Sequence, residues 1–168
     1  MPMLKKVVLK VFPTIIFLSI FCGIGYFLII SPPSKPSATV EQVWEVLVSQ
    51  GYQPLDTTKI HLEKYPKSDR FESIGVEKDD VRFEFFTFEN DNNAVSLYEK
   101  FYSLVFSTRN TPYAQRHTHI SNYDIYALAS SGRYSVAIRV GSTVLYAYCN
   151  AENEVKMNTI LSAIDYLD

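Results

Sequence analysis

Three kinds of hydrophobic pattern follow one another along the chain. The first is an unbroken apolar run: residues 11–30 contain no charged side chain, and Lys5, Lys6 and Lys10 stand just before them. A helix of about 20 residues rises about 30 Å, the thickness of a bilayer's hydrocarbon core, so this run predicts a transmembrane helix. A cleavable secretory signal has an apolar region of only about 7 to 15 residues and ends in a small-residue cleavage site. Here the run is longer and passes into Ser31-Pro32-Pro33-Ser34, the start of a Pro/Ser-rich stalk. Lipidation at Cys22 is disfavoured because Ser19 and Phe21 occupy the places where a lipobox carries leucine and a small residue. The basic flank is retained on the cytoplasmic side, which sends the remainder of the chain outward. The predicted organisation is therefore a cytoplasmic N-terminus (1–10), a membrane helix (11–30), a stalk (31–38) and an extracytoplasmic domain (39–168).

The second pattern has helical spacing. Thr39 and Gln42 form a capping-box sequence, and Val40, Val43, Trp44, Leu47 and Val48 then recur on one helical face before Gly51 ends the segment. Asn90 to Asn93 introduce a second helix with Val95, Leu97, Tyr98, Phe101, Tyr102 and Val105 on its apolar side. A third begins near Asn150 or Glu152 and carries Val155, Ile160, Leu161, Ile164 and Leu167.

The third pattern is alternation and short apolar runs, read as strands at 71–76, 81–88, 119–129, 133–140 and 143–149. Residues 77–80, 130–132 and 141–142 supply hairpin turns. Residues 52–69 read as an irregular loop with at most short structure, and 107–116 as a polar loop. In 81–88 the apolar side chains of Val81, Phe83 and Phe85 oppose Arg82 and Glu84, which suggests one buried and one wet sheet face. The expected fold class is α+β: an antiparallel sheet of about five strands with three helices packed mainly on one face, in the order α-β-β-α-β-β-β-α.

Charge and cysteine content narrow the function classes. All 18 acidic residues lie beyond position 40, whereas three of the 16 basic ones lie within the first ten, so the remainder carries about minus five. A nucleic-acid surface needs the opposite sign. Cys149 cannot join Cys22, which lies in the apolar run, and so either packs as a small apolar group near a strand end or pairs with a second chain.

Catalytic signatures are missing. His117-Thr118-His119 places two imidazoles on one strand face, but zinc takes three or four ligands and His61 falls in a separate loop, so no metal is assigned. Neither a Gly-x-Ser-x-Gly elbow nor a Gly-rich phosphate loop occurs among the six scattered glycines. Glu77, Asp79, Asp80, Glu89 and Asp91 lack the spacing of a calcium loop and read as turn and capping residues. No catalytic residue or cofactor is assigned. Arg139 shares a strand face with Ser135 and Ala137, where a charge requires a partner. Asp124 or Glu84 on a neighbouring strand, or an anionic ligand, can supply it. Tyrosines line both sheet faces, and those opposite the helices mark a contact surface. The candidate binding residues are Arg139, His119, Tyr126 and Tyr146.

The Asn-Tyr strand in Ser121 to Tyr126, the Arg-Val-Gly-x-Thr hairpin from Arg139 and the Phe-x-Phe at Phe83 to Phe85 together resemble small membrane-anchored or lipoprotein domains of Gram-positive bacteria that have no assigned activity. The resemblance spans about residues 40 to 166. It implies architecture and location and carries no catalytic residues across. Three functional readings follow. The first is a tethered, non-enzymatic domain that binds a protein partner or senses a ligand on the outer face, against which a polar cleft around Arg139 and His119 would count. The second is a small envelope-acting hydrolase or transferase, which needs a pocket with a paired acid and base. The third is a structural subunit of a membrane complex, packing through Ser19, Gly23 and Gly25.

Overall fold

The computed structural model describes residues 34–64, 70–78 and 80–167. The predicted membrane helix at 11–30 lies outside the described residues, among which no helix is long and apolar enough to cross a membrane. Residues 34–38, assigned to the stalk, run along the domain. The backbone N–H of Lys35 donates to Asn122 Oδ1, Ser37 Oγ to the Val140 carbonyl, and the Ala38 N–H to the Tyr166 hydroxyl.

Among the described residues four α-helices accompany seven strands: α1 (Val40–Ser49), β1 (Leu55–Asp56), α2 (Thr58–Lys64), β2 (Phe71–Lys78), β3 (Val81–Phe88), α3 (Asp91–Ser107), β4 (Tyr113–Ile120), β5 (Tyr123–Ser130), β6 (Arg133–Val140), β7 (Thr143–Asn150), a 3-10 turn (Ala151–Asn153) and α4 (Glu154–Ala163). All strands are antiparallel and form one sheet in the order β1-β2-β3-β7-β6-β5-β4.

The sheet thus has seven strands, not five. Two corrections account for the difference. Residues 107–116 are not all loop, and the run at 119–129 is not one strand: β4 and β5 form a hairpin about Ser121 and Asn122, with Ser121 at a φ of 38° supplying the left-handed turn position. That turn has no glycine, and β4 is exposed along nearly its whole length, so its sequence shows no apolar alternation. Within 52–69, β1 and α2 are the short elements; the Asp56 carboxylate accepts from the Thr58 N–H at 2.8 Å and starts α2.

The predicted helix starts are reproduced in detail at α1 and α3. Thr39 and Gln42 exchange side-chain-to-backbone hydrogen bonds at 3.3 and 2.9 Å, and Asn90 Oδ1 accepts from the Asn93 N–H at 3.1 Å. Each satisfies N–H groups that a helix leaves unpaired at its start. The apolar stripes are narrower than their sequence spacing implies, because Val48, Val95 and Val155 are exposed.

Helices cover both sheet faces, contrary to the one-sided packing expected. α1 and α4 close one face over Phe83, Phe85, Ile125, Ile138 and Leu145. On the opposite face α3 lies over Phe86, Tyr126, Leu128, Ala137 and Val144. The reason is visible in β5 to β7, whose residues are buried in near-continuous runs, as strands covered on both sides require. Glu84, read as facing water, is likewise buried on the α3 side. Each fully buried large apolar side chain stabilises the fold by about 1.5–3 kcal/mol.

Candidate functional site

A row of three polar residues crosses the sheet beneath α3. The strand registers set His119 of β4 opposite Asp124 of β5, and Asp124 opposite Arg139 of β6, so all three share one face. Arg139 Nε donates to Asp124 Oδ2 at 2.5 Å, and its Nη1 donates to the Gly141 carbonyl at 3.2 Å. Both side chains of the ion pair are less than a tenth exposed. The partner that Arg139 needs is therefore Asp124 and not Glu84, whose carboxylate instead accepts from Arg82.

The second oxygen of Asp124 meets Nδ1 of His119, whose side chain is 76% exposed. A carboxylate only accepts, so Nδ1 carries a proton and Nε2 is the ring nitrogen left facing the surface. One carboxylate, fixed by a buried guanidinium, thus orients an exposed imidazole.

Helix α3 forms the other wall. Val95, Tyr98, Glu99 and Tyr102 follow the i, i+3, i+4, i+7 spacing that puts them on one helical face. Together with His117, His119, Asp124 and Arg139 they line a cleft of about 340 Å³. Tyr102 stacks on His117 with ring centroids 5.5 Å apart and meets Tyr126 edge-on at 4.9 Å, which makes this wall aromatic and rigid.

Tyr98 is 5% exposed, yet its hydroxyl has no hydrogen-bond partner among the described residues. Burial, followed by the charges of Asp124 and Glu99, raises its pKa far above the ordinary tyrosine value, so the hydroxyl keeps its proton. A buried hydroxyl left unpaired costs about 1–3 kcal/mol. It is a donor and an acceptor held ready beside a fixed ion pair.

Arg139 and His119 are thus brought together; Tyr126 does not line the cleft but backs its wall against Tyr102 and His117, and Tyr146 stands elsewhere. Tyr126 is buried beneath α3 and donates to Gln115 Oε1 at 3.2 Å. Tyr146 stacks on Phe101 with centroids 4.8 Å apart. The open, tyrosine-bearing sheet face expected as a contact surface is covered by α3. Tyr98, Glu99 and Tyr102 were not among the sequence-derived candidates, because a tyrosine on an apolar helix stripe reads as core. The buried hydroxyl, which a core phenylalanine lacks, is the feature that distinguishes Tyr98.

Other hollows are less equipped. One of about 480 Å³ beside α1 is lined by Ser37, Gln42, Glu45 and Asp165, and none of the buried unpaired polar atoms faces it. Another of about 350 Å³, beside α4, is lined in part by Asn158, whose Oδ1 is unpaired but whose side chain is only half-buried, with no ion pair beside it among the described residues. Cys149 is buried in β7, where burial pushes its thiol up to about 11, an inert setting. No three His, Cys, Asp or Glu residues are gathered as a metal would need among the described residues.

No protein-family model matches the chain, and no curated protein matches it. A solved structure described as a GTP binding regulator from Thermotoga maritima aligns with a TM-score of 0.46 at 11% identity, covering 77% of this chain and 90% of its own. A likeness that distant carries neither fold nor activity to this chain.

Proposed function

We propose that this protein is a membrane-tethered, outward-facing domain that binds a small polar ligand, or a polar group of a partner, in the cleft between α3 and β4 to β6. The observation that carries this reading is a cleft that sets the buried Asp124–Arg139 pair and the exposed His119 ring against Tyr98, a buried tyrosine whose hydroxyl has no hydrogen-bond partner among the described residues. A ligand group that hydrogen-bonds Tyr98 removes the cost of leaving it unpaired, which is a direct source of affinity. Tethering and orientation rest on the apolar run at 11–30 and on Lys5, Lys6 and Lys10 before it.

The test is an NMR titration of the full chain in mild detergent, with histidine rings labelled with nitrogen-15 and a small-molecule extract of the native membranes as the probe. Binding in the cleft moves the His119 resonance in the wild type and leaves it still in Tyr98→Phe. An extract that shifts other signals but never His119 contradicts the reading.

The His119–Asp124 contact favours a second reading, an envelope-acting hydrolase or transferase. A polar cleft around Arg139 and His119 is the feature that counts against a purely non-enzymatic domain. An imidazole oriented by a carboxylate is the arrangement of a general base, and Nε2 could take a proton from a water or hydroxyl in the cleft. Among the described residues no serine, threonine or cysteine lines the cleft to act as a nucleophile. Turnover of a cell-envelope extract that disappears in His119→Ala supports this second reading; binding that survives without turnover supports the first.

A further inference from the structure

The two edges of the sheet are finished differently. At one, β1 has only two residues, and beyond it the outer side of β2 is closed by the chain itself: the Thr57 N–H donates to the Ser73 carbonyl and the Ser73 N–H to Thr58 Oγ1, both at 2.9 Å. At the other, β4 runs for eight residues and pairs with β5 alone. Its sequence, Tyr-Ala-Gln-Arg-His-Thr-His-Ile, contains neither the proline nor the lysine most used to blunt edge strands, and Arg116 is its one permanently charged residue.

Which backbone groups face outward follows from the hairpin. Ile120 and Tyr123 flank a two-residue turn, so the Ile120 carbonyl and Tyr123 N–H form a bonded pair. Bonded and non-bonded pairs alternate along an antiparallel ladder. The N–H and C=O groups of Tyr113, Gln115, His117 and His119 therefore point away from the sheet. None of the four makes any other backbone hydrogen bond among the described residues.

We infer that β4 is an assembly edge, and that its occupant is β4 of a second copy of this chain, antiparallel about a two-fold axis at His117. Self-pairing can form hydrogen bonds only where outward residues oppose outward residues. Centring on Arg116 places Arg116 against itself, a destabilising like-charge pair. Centring on Gln115 leaves much of β4 unpaired. Centring on His117 sets Ala114 against Ile120, an apolar pair, Arg116 against Thr118, and Gln115 against His119, and it uses residues 114–120 throughout.

That register also completes the cleft. It places Gln115 of the second copy across from His119, with Cβ atoms about 5 Å apart. Within each chain Gln115 Oε1 already accepts from Tyr126, which leaves the amide N–H groups free to donate to His119 Nε2 of the opposite copy. The inference rests on the β4 edge and stands whatever the cleft binds.

Cysteine cross-linking of the full chain in its own membranes tests it, in a Cys22→Ser background where the remaining Cys149 is buried. Opposed residues in a bonded antiparallel pair have Cα atoms about 5.5 Å apart, within disulfide range. His117→Cys is expected to give a covalent dimer under mild oxidation, and Arg116→Cys and Tyr113→Cys are expected to stay monomeric. Gln115→Pro deletes an outward N–H without touching the β5 ladder and should abolish the His117→Cys dimer with circular dichroism unchanged. If Gln115→Pro unfolds the sheet, the dependence on position still decides. Linkage at 116 or 113 as readily as at 117, or monomer throughout, overturns the inference.

Discussion

Asp124 and Arg139 face each other on β5 and β6 and join at 2.5 Å in a site where neither side chain is a tenth exposed. Two charges taken from water gain little net stability from one another, but removing one partner strands the other. Arg139→Met should therefore destabilise the domain by about 3–5 kcal/mol, and Asp124→Leu combined with Arg139→Met should recover most of that loss. Urea denaturation of the single and double variants measures both. Equal losses in the two would show that the pair acts through packing alone.

Tyr98→Phe removes a hydroxyl that has no partner, and nothing is left unsatisfied in its place. The ligand-free protein should gain about 1 kcal/mol or stay unchanged, the reverse of the usual outcome for a buried tyrosine. A thermal melt distinguishes the two, and a clear loss would mean that the hydroxyl is bonded in solution.

Phe86 is fully buried under α3 and contacts the rings of Phe71 and Phe101. Phe86→Ala should cost about 3–5 kcal/mol, the range for aromatic truncation in a packed core. It should also loosen α3, which amide hydrogen exchange would detect along Ala94 to Val105. A change confined to α1 would place α3 outside the cooperative core.

Asp80 accepts from the side chain of Asn153 and from the backbone N–H of Asn150, and these bonds lower its pKa below 3.8. The carboxylate is the bonded form, so its contribution is complete above the unfolded pKa and is lost as pH falls through the folded one. Asp80→Asn should flatten the acid limb of the stability curve below about pH 4 and change little at neutral pH. Melting temperatures across pH 2.5 to 7 check this; parallel curves for the two proteins would contradict it.

How legible the fold was in the sequence depended on how strongly burial was written into each element. The capping residues Thr39, Gln42 and Asn90 locate α1 and α3 because their side chains bond the helix start itself. The β6–β7 hairpin was readable because Gly141 takes a φ of 54°, a conformation that favours glycine. Strand β4 was hidden for the opposite reason: an exposed edge strand carries no apolar alternation, and its Ser121-Asn122 turn lacks glycine. Two-sided helix packing was misjudged from Arg82 and Glu84, whose mutual salt bridge lets charged residues sit on a face that α3 partly covers. Of the site, Arg139, its partner Asp124 and His119 were legible, because a charge in a central strand demands compensation. Tyr98 was not, since the same residue on the same stripe would serve equally as core.

The claim that the cleft holds a ligand is tested most directly by native mass spectrometry of the full chain released from its own membranes in mild detergent, beside His119→Ala. His119 is exposed, so its loss spares the core. The account predicts a small-molecule adduct on the wild type that is absent from His119→Ala, the two proteins otherwise differing in mass only by the substitution. An adduct retained equally by both, or found on neither, would contradict it.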